Sequence, residues 1–150
     1  MKWMIATGLM MAAATQASAV DLVCPPNAAA ARRFVSQLEP FHENDGTRDT
    51  TDAFFAIEGG ATAYGERISQ VAIRLLYSDL QIIRDAPASL SFMLLNDDSA
   101  RLIPAMNRRF KERCEANEDG SECAIDLGEV PKLGLQQIDI LPGEIRCDYN

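Results

Sequence analysis

The longest hydrophobic pattern in the sequence runs from Ala61 to Arg84 and has the spacing of an amphipathic helix. Apolar residues recur every three or four positions, and charged and polar residues fall mostly between them. The apolar set comprises Tyr64, Ile68, Val71, Ala72, Leu75, Leu76, Leu80 and Ile83. At ~1.5 Å per residue such a helix is long enough to cross a small domain. The pattern therefore predicts a central helix with one buried face.

Shorter apolar segments on either side of this helix predict further helices. They cover residues 28–38, 52–57, 89–95 and 99–114. Asn27 is a suitable capping residue for the first of them, and Ser99 for the last. Between them, residues 41–51 are rich in Asn, Asp and Gly, which predicts a polar loop.

After Gly128 the pattern changes to one typical of β structure. Residues 130–141 are rich in Val, Leu and Ile, and Glu144 to Tyr149 alternates between polar and apolar side chains. The Pro142-Gly143 pair between them is a type II turn signal. We expect a small C-terminal ribbon that packs its Ile145, Cys147 and Tyr149 face onto the helices.

These segments together predict a mainly α fold, a compact domain of about four helices around the central helix, with a C-terminal β ribbon and two disulfides. The order of helices followed by the Leu127-Gly-Glu-Val-Pro131 step into β structure is similar to that of secreted NTF2-like α+β domains. That resemblance implies an α+β fragment as the alternative fold class. Too few strands follow for the NTF2-like fold to close, so the mainly α class is our expectation.

The first 19 residues have the organisation of a secretory signal peptide. Lys2 supplies a positive charge, residues 4–14 are mostly apolar, and Ala17-Ser18-Ala19 is a small-x-small cleavage motif. Removal of these 19 of the 150 residues leaves a single domain of 131, residues 20–150, and changes the formal net charge from −8 to −9. We expect a periplasmic or secreted protein that is not inserted in the membrane after cleavage.

All four cysteines lie beyond the cleavage site, which predicts two disulfides in an oxidising compartment. Three pairings are possible. We favour Cys114–Cys123, which closes a short polar segment, together with Cys24–Cys147, which joins the two ends of the mature chain. No metal site or cofactor is expected.

Two acidic segments are candidate surfaces for a protein partner. The first contains Glu43, Asp45, Asp49 and Asp52, and the second contains Glu118, Asp119 and Glu122. In the second segment, Gly120 and the acids around it match a calcium-binding loop in part, with Glu122 where that loop requires an apolar residue.

Arginines are concentrated in the last predicted helix, at positions 101, 108, 109 and 113. Arg101, Arg108, Arg109 and Arg113 are candidates for binding an anionic partner, because guanidinium groups pair with carboxylates and phosphates. The alternative is a solvated helix end, where cations complement the helix dipole. The strongly negative net charge disfavours nucleic acid as a partner.

The sequence contains a single histidine and no recognisable catalytic motif. We therefore expect a small binding protein with a protein partner in the cell envelope, such as an inhibitor or immunity-type protein that occludes an enzyme or toxin. One alternative is a small-ligand or envelope-assembly module with an apolar pocket, lined by Phe92, Met93, Leu95 and Met106. A second is a hydrolase based on carboxylates such as Glu58 and Glu66. The sequence does not specify the oligomeric state.

Overall fold

The computed structural model of the chain consists mainly of β strands. It describes residues 20–38, 40–47, 50–57, 60–78, 81–96, 99–111 and 114–149. The predicted signal peptide, residues 1–19, lies outside these ranges.

The described elements are two helices and ten strands. The helices are α1 (Ala28–Val35) and α2 (Ser99–Arg109). The strands are β1 (Asp21–Leu22), β2 (Pro40–Thr47), β3 (Thr50–Ala56), β4 (Thr62–Ala63), β5 (Glu66–Ser78), β6 (Gln81–Leu94), β7 (Cys114–Ala116), β8 (Cys123–Asp126), β9 (Leu135–Leu141) and β10 (Glu144–Tyr149).

Eight of the strands form one antiparallel sheet in the order β2-β3-β5-β6-β10-β9-β8-β7. The short strand β4 pairs with the beginning of β5, and β1 pairs with β4 in parallel. Along the chain, α1 is followed by four strands of this sheet, β2, β3, β5 and β6, and α2 is followed by the other four, β7 to β10. The pairing of β6 with β10 joins these two groups of strands. The strands β2 and β7 consequently lie at opposite ends of the strand order.

The core lies between one face of the sheet and the two helices. Strand residues point alternately to the two faces, so every second residue contributes to the core. The sheet supplies buried residues from β3, β5, β6, β8, β9 and β10, among them Val71, Leu90, Phe92, Ile125, Ile138, Ile140 and Ile145. The helices supply Ala31 and Val35 from α1 and Leu102 and Met106 from α2. Within the described ranges, no helix is long and apolar enough to cross a membrane.

Two disulfides are present, and they join the pairs that we favoured from the sequence. Cys24, just before α1, is bonded to Cys147 in β10, and both residues are buried. Cys114 in β7 is bonded to Cys123 in β8. The first disulfide fixes the N-terminal segment to the centre of the sheet, and the second closes the β7–β8 hairpin.

The predicted central helix is wrong, because residues 61–84 form β4, β5 and the first part of β6. The pairing of β5 with β6 shifts register between Ile68 and Gln70 and again on both sides of Leu75. A β-bulge of this kind inserts one extra residue and so changes the two-residue period of a strand. Ile68 and Val71 are therefore both buried although they are three positions apart, a spacing that imitates a helix.

The mainly α fold class is wrong as a whole, and the fold is mainly β. The segments 52–57 and 89–95, predicted as helices, lie mostly in β3 and β6, and much of the predicted loop 41–51 lies in β2. In β6 the residues Leu90, Phe92 and Leu94 are buried while Met93 faces the other side of the sheet. The helices predicted at 28–38 and 99–114 correspond to α1 and α2, but α1 ends at Val35 and α2 at Arg109, and Cys114 lies in β7. The C-terminal ribbon corresponds to β9 and β10.

Candidate functional site

The face of the sheet opposite the helices carries a row of polar residues across its central strands. The register aligns Ser91 of β6 with Arg146 of β10, and Arg146 with Asp139 of β9. It also aligns Ser89 with Asp148, and Asp148 with Gln137. We call this surface the polar face. It arises because polar residues alternate with the core residues along β6, β9 and β10.

Arg146 is the centre of a charged cluster on the polar face. Its Nη2 donates a hydrogen bond of 2.6 Å to Oδ2 of Asp139, and its Nε donates one of 3.3 Å to Oδ2 of Asp148. The Asp139 side chain is only 8% exposed and also accepts a hydrogen bond of 2.6 Å from Nε2 of Gln137. One cation thus balances two carboxylates, and the fully ionised cluster has a net charge of −1.

Burial and neighbouring charges change the proton affinities in this cluster. Burial opposes the charge of Arg146, but hydrogen bonding to Asp139 and attraction by Asp148 outweigh it, and the pKa of the guanidinium is raised. Burial also raises the pKa of Asp148, and the adjacent Asp139 adds to this effect while Arg146 opposes it. Asp148 is therefore protonated more readily than an ordinary aspartate.

A cleft of about 180 Å³ opens beside this cluster on the polar face. Its lining is mostly polar and comprises Phe54, Ala72, Ile73, Arg74, Ser89, Ser91, Met93, Glu144 and Arg146. Within it, Oγ of Ser91 donates a hydrogen bond of 2.5 Å to Oε1 of Glu144. The cleft is shaped for a small polar group, because hydroxyl, carboxylate and guanidinium groups all face it.

The β7–β8 hairpin carries the second predicted acidic segment on its turn. Glu118 and Asp119 are exposed there, and Glu122 is half-buried. The hydroxyl and the backbone N–H of Ser121 both donate to Oδ1 of Asp119, at 2.5 and 2.9 Å. These hydrogen bonds lower the pKa of Asp119 and keep it ionised. With the Cys114–Cys123 disulfide, they give the hairpin a defined shape.

A groove of about 370 Å³ connects this hairpin to the polar face. It is lined by Glu115, Ala116, Asn117, Glu122, Cys123, Ala124, Asp139 and Leu141. Asp139 belongs both to this groove and to the Arg146 cluster. The hairpin carboxylates Glu115 and Glu122 therefore line a groove that reaches the largely buried Asp139 of the polar face, and we call it the acidic groove.

The two predicted acidic segments are not brought together by the strand order. Glu43 and Asp45 lie in β2 and Asp52 lies in β3, and the structure describes only the backbone at these positions. Asp49 lies outside the described residues. β2 and β7 are at opposite ends of the strand order, and among the side chains that the structure describes, Glu122 of the hairpin segment lines the acidic groove.

The predicted anion-binding arginines are spread along α2 and make different contacts. Arg101 forms a bidentate ion pair with Glu66, at 2.5 and 3.2 Å. The guanidinium of Arg109 lies 4.9 Å from the centre of the Tyr64 ring. Arg108 lines a shallow groove with Pro104, Asn107 and Lys111, and Arg113 lies outside the described residues.

The alternative sites predicted from the sequence are dispersed or incompletely described. Phe92 and Met106 are in the core, Met93 lines the polar cleft, and Leu95 is exposed, so these four residues do not line one apolar cavity. Of the two carboxylates proposed for a hydrolase, Glu66 is paired with Arg101, and Glu58 lies outside the described residues.

The Arg146 cluster was not predicted, although the sequence contains a signal for it. The alternation that predicted Ile145 and Cys147 as buried also places Glu144, Arg146 and Asp148 together on the opposite face. Asp139 between two isoleucines had the same pattern. The clustering itself depends on the register between β9 and β10, which spacing along the chain does not reveal.

Within the described residues, no three or more histidine, cysteine, aspartate or glutamate side chains are grouped so that they could hold a metal ion.

Comparisons of the chain with protein-family models, with curated proteins and with solved structures gave no match.

Proposed function

We propose that this chain is a small exported binding protein that holds a basic protein partner against its acidic groove. The observation that carries the proposal is the continuity of the β7–β8 hairpin carboxylates with Asp139 along one groove. Within this class we favour an inhibitor or immunity-type protein that occludes a cell-envelope enzyme or toxin.

The geometry of the groove supports binding of a lysine or arginine side chain. Glu115, Glu122 and Asp139 line the groove, with Asn117 as a neutral hydrogen-bonding group beside them. The exposed Glu118 and Asp119 extend the negative surface beyond the groove, where it accelerates encounter with a cation. Because the Cys114–Cys123 disulfide already restricts the β7–β8 hairpin, the hairpin loses little conformational freedom on binding, which favours affinity.

The proposed compartment follows from the disulfides and the sequence. Two disulfides are compatible with an extracytoplasmic location, because thiols of cytosolic proteins are kept reduced. The signal-peptide pattern of residues 1–19 supports export, and we propose the periplasm as the site of action. Intact mass of the exported protein tests this, and a chain that retains its first 19 residues would contradict it.

Capture of the partner from envelope extract tests the function. The oxidised protein serves as bait, and bound proteins are released by increasing salt. We expect a basic protein that elutes with salt and is not retained by the Glu118→Lys/Asp119→Lys variant. Glu118→Lys alone and the control Glu129→Lys change the net charge equally, and Glu129 is exposed and lies beyond the other end of β8.

Two outcomes would contradict the proposal. Equal capture by the wild-type protein and the hairpin variant would exclude the acidic groove as the contact. An empty capture, with a small molecule copurified in the native mass spectrum and lost in Arg146→Gln, would instead assign a ligand-binding function to the cleft on the polar face.

A further inference from the structure

The two helices give the protein a second charged side that the acidic groove does not use. Residues 28–35 and 99–109, all described by the structure, contain five arginines and no acidic residue. Arg32 and Arg33 of α1 are exposed, as are Arg108 of α2 and the following Lys111, whereas Arg101 is paired with Glu66 and Arg109 lies over the Tyr64 ring. We call the four cations Arg32, Arg33, Arg108 and Lys111 the basic helical face.

The packing of the helices directs this face away from the sheet. Ala31 and Val35 of α1 and Leu102 and Met106 of α2 enter the same core, against the same face of the sheet. The opposite sides of both helices, which carry the cations, therefore point outward on the same side of the molecule. The cations are distributed over two helices instead of converging on one point, which suits an extended anionic surface better than a single small anion.

An exposed leucine in a strained conformation adjoins α1. Leu133 has a φ of 63° and is 39% exposed, in a turn closed by a 2.8 Å hydrogen bond from the Gly134 N–H to the Pro131 carbonyl. This turn position favours glycine, and a leucine there is destabilising. The carbonyl of Leu133 accepts a hydrogen bond from the Ala28 N–H, so the turn is attached to the first turn of α1.

The residues around Leu133 combine charge with exposed apolar surface. Lys132, its neighbour at the tip of the turn, is exposed. Val23 is 44% exposed and lies just before α1, whose eight residues span only about 12 Å. Arg32 and Arg33 lie on this same helix. Basic residues beside exposed leucine and valine are typical of surfaces that bind the interface of a bilayer.

We propose that the helical side of the protein, through the basic helical face and Leu133, binds reversibly to the surface of anionic phospholipid bilayers. The cations attract the phosphate groups, and Leu133 enters the boundary between headgroups and acyl chains. The acidic groove lies on the other face of the sheet, so a membrane-bound protein still presents it to a partner. This proposal is independent of the identity of that partner.

Vesicle binding tests the proposal on the oxidised protein recovered after export. The probes are vesicles of phosphatidylcholine alone and of phosphatidylcholine mixed with phosphatidylglycerol. We expect binding to the anionic vesicles that decreases with salt, and little binding to the neutral ones. Arg33→Gln and Arg108→Gln should each weaken binding about five-fold, whereas Arg67→Gln, an exposed strand residue, serves as the control and should not.

Leu133→Gly separates membrane contact from folding. Glycine adopts positive φ without strain, so this variant should unfold at the same urea concentration as the wild type or at a higher one. Its vesicle binding should nevertheless decrease about five-fold, as expected for burial of about half a leucine side chain.

Three results would overturn the proposal. One is equal binding to neutral and anionic vesicles, and another is unchanged binding of the Arg33, Arg108 and Leu133 variants. The third is displacement from vesicles by inorganic phosphate but not by chloride at equal ionic strength, which would show that the face recognises a soluble anion.

Discussion

At the scale of single residues, Arg146 supplies the cation that balances the buried Asp139 carboxylate of the polar face. Asp139 is nearly excluded from water, and an isolated carboxylate in that position is costly. The guanidinium of Arg146 and the amide of Gln137 together satisfy it. The acidic groove therefore depends on a cation beside it, since Asp139 forms part of its lining.

Replacement of Arg146 by glutamine should destabilise the protein by about 2 to 4 kcal/mol, because it leaves the Asp139 carboxylate buried without a cation. Urea unfolding at neutral pH measures this. Arg67→Gln, on the exposed part of β5, should change the free energy of unfolding by no more than about 0.5 kcal/mol. Similar values for the two variants would show that Arg146 does not compensate Asp139.

The raised pKa of Asp148 predicts a pH dependence of stability. Since folding raises this pKa, the folded protein binds the Asp148 proton more tightly than the unfolded chain does. The contribution of Asp148 to stability is complete below its ordinary pKa of 3.8 and is lost as the pH rises through the raised value. Asp148→Asn does not titrate, so its stability relative to the wild type should increase as the pH rises above 3.8. A difference that is independent of pH between acidic and neutral conditions would contradict this account.

At the scale of elements, the sequence predicts those helices and strands whose hydrophobic period is not interrupted by a β-bulge. The alternation of β10 and the capped amphipathic pattern of α1 were correctly interpreted, and Asn27 caps α1 through a 2.8 Å bond from the Ala30 N–H. The segment around Ile68 and Val71 was interpreted wrongly, because bulges in β5 give its buried residues the spacing of a helix. A bulge depends on the partner strand, so one strand's sequence does not reveal it.

The two disulfides should differ in their effect on stability. Cys24–Cys147 joins residues 123 positions apart, and Cys114–Cys123 joins residues nine apart. In the chain-entropy model their removal costs about 5 and about 2.5 kcal/mol respectively. Urea unfolding of the Cys24→Ala/Cys147→Ala and Cys114→Ala/Cys123→Ala proteins tests the order. A larger loss in the second protein would show that the hairpin is more important to the fold than its short loop implies.

At the scale of the whole molecule, the sheet lies between the basic helical face and the acidic groove. The basic helical face lies on the side of the core, and the acidic groove is continuous with the polar face on the other side. Composition indicates only the net charge of −8 and conceals this division. The division itself follows from strand alternation and from the packing of both helices on one face of the sheet, which the predicted helical domain did not contain.

The association rate of the captured partner, measured as a function of salt, tests the central claim most directly. The wild-type protein, the hairpin variant Glu118→Lys and the control Glu129→Lys, which changes the net charge equally, would be compared with the same partner. We predict fast association that slows steeply with salt for the wild type and the control, and slower association with a flatter salt dependence for the hairpin variant. The same rates and the same salt dependence for all three proteins would contradict the claim that the acidic groove binds the partner.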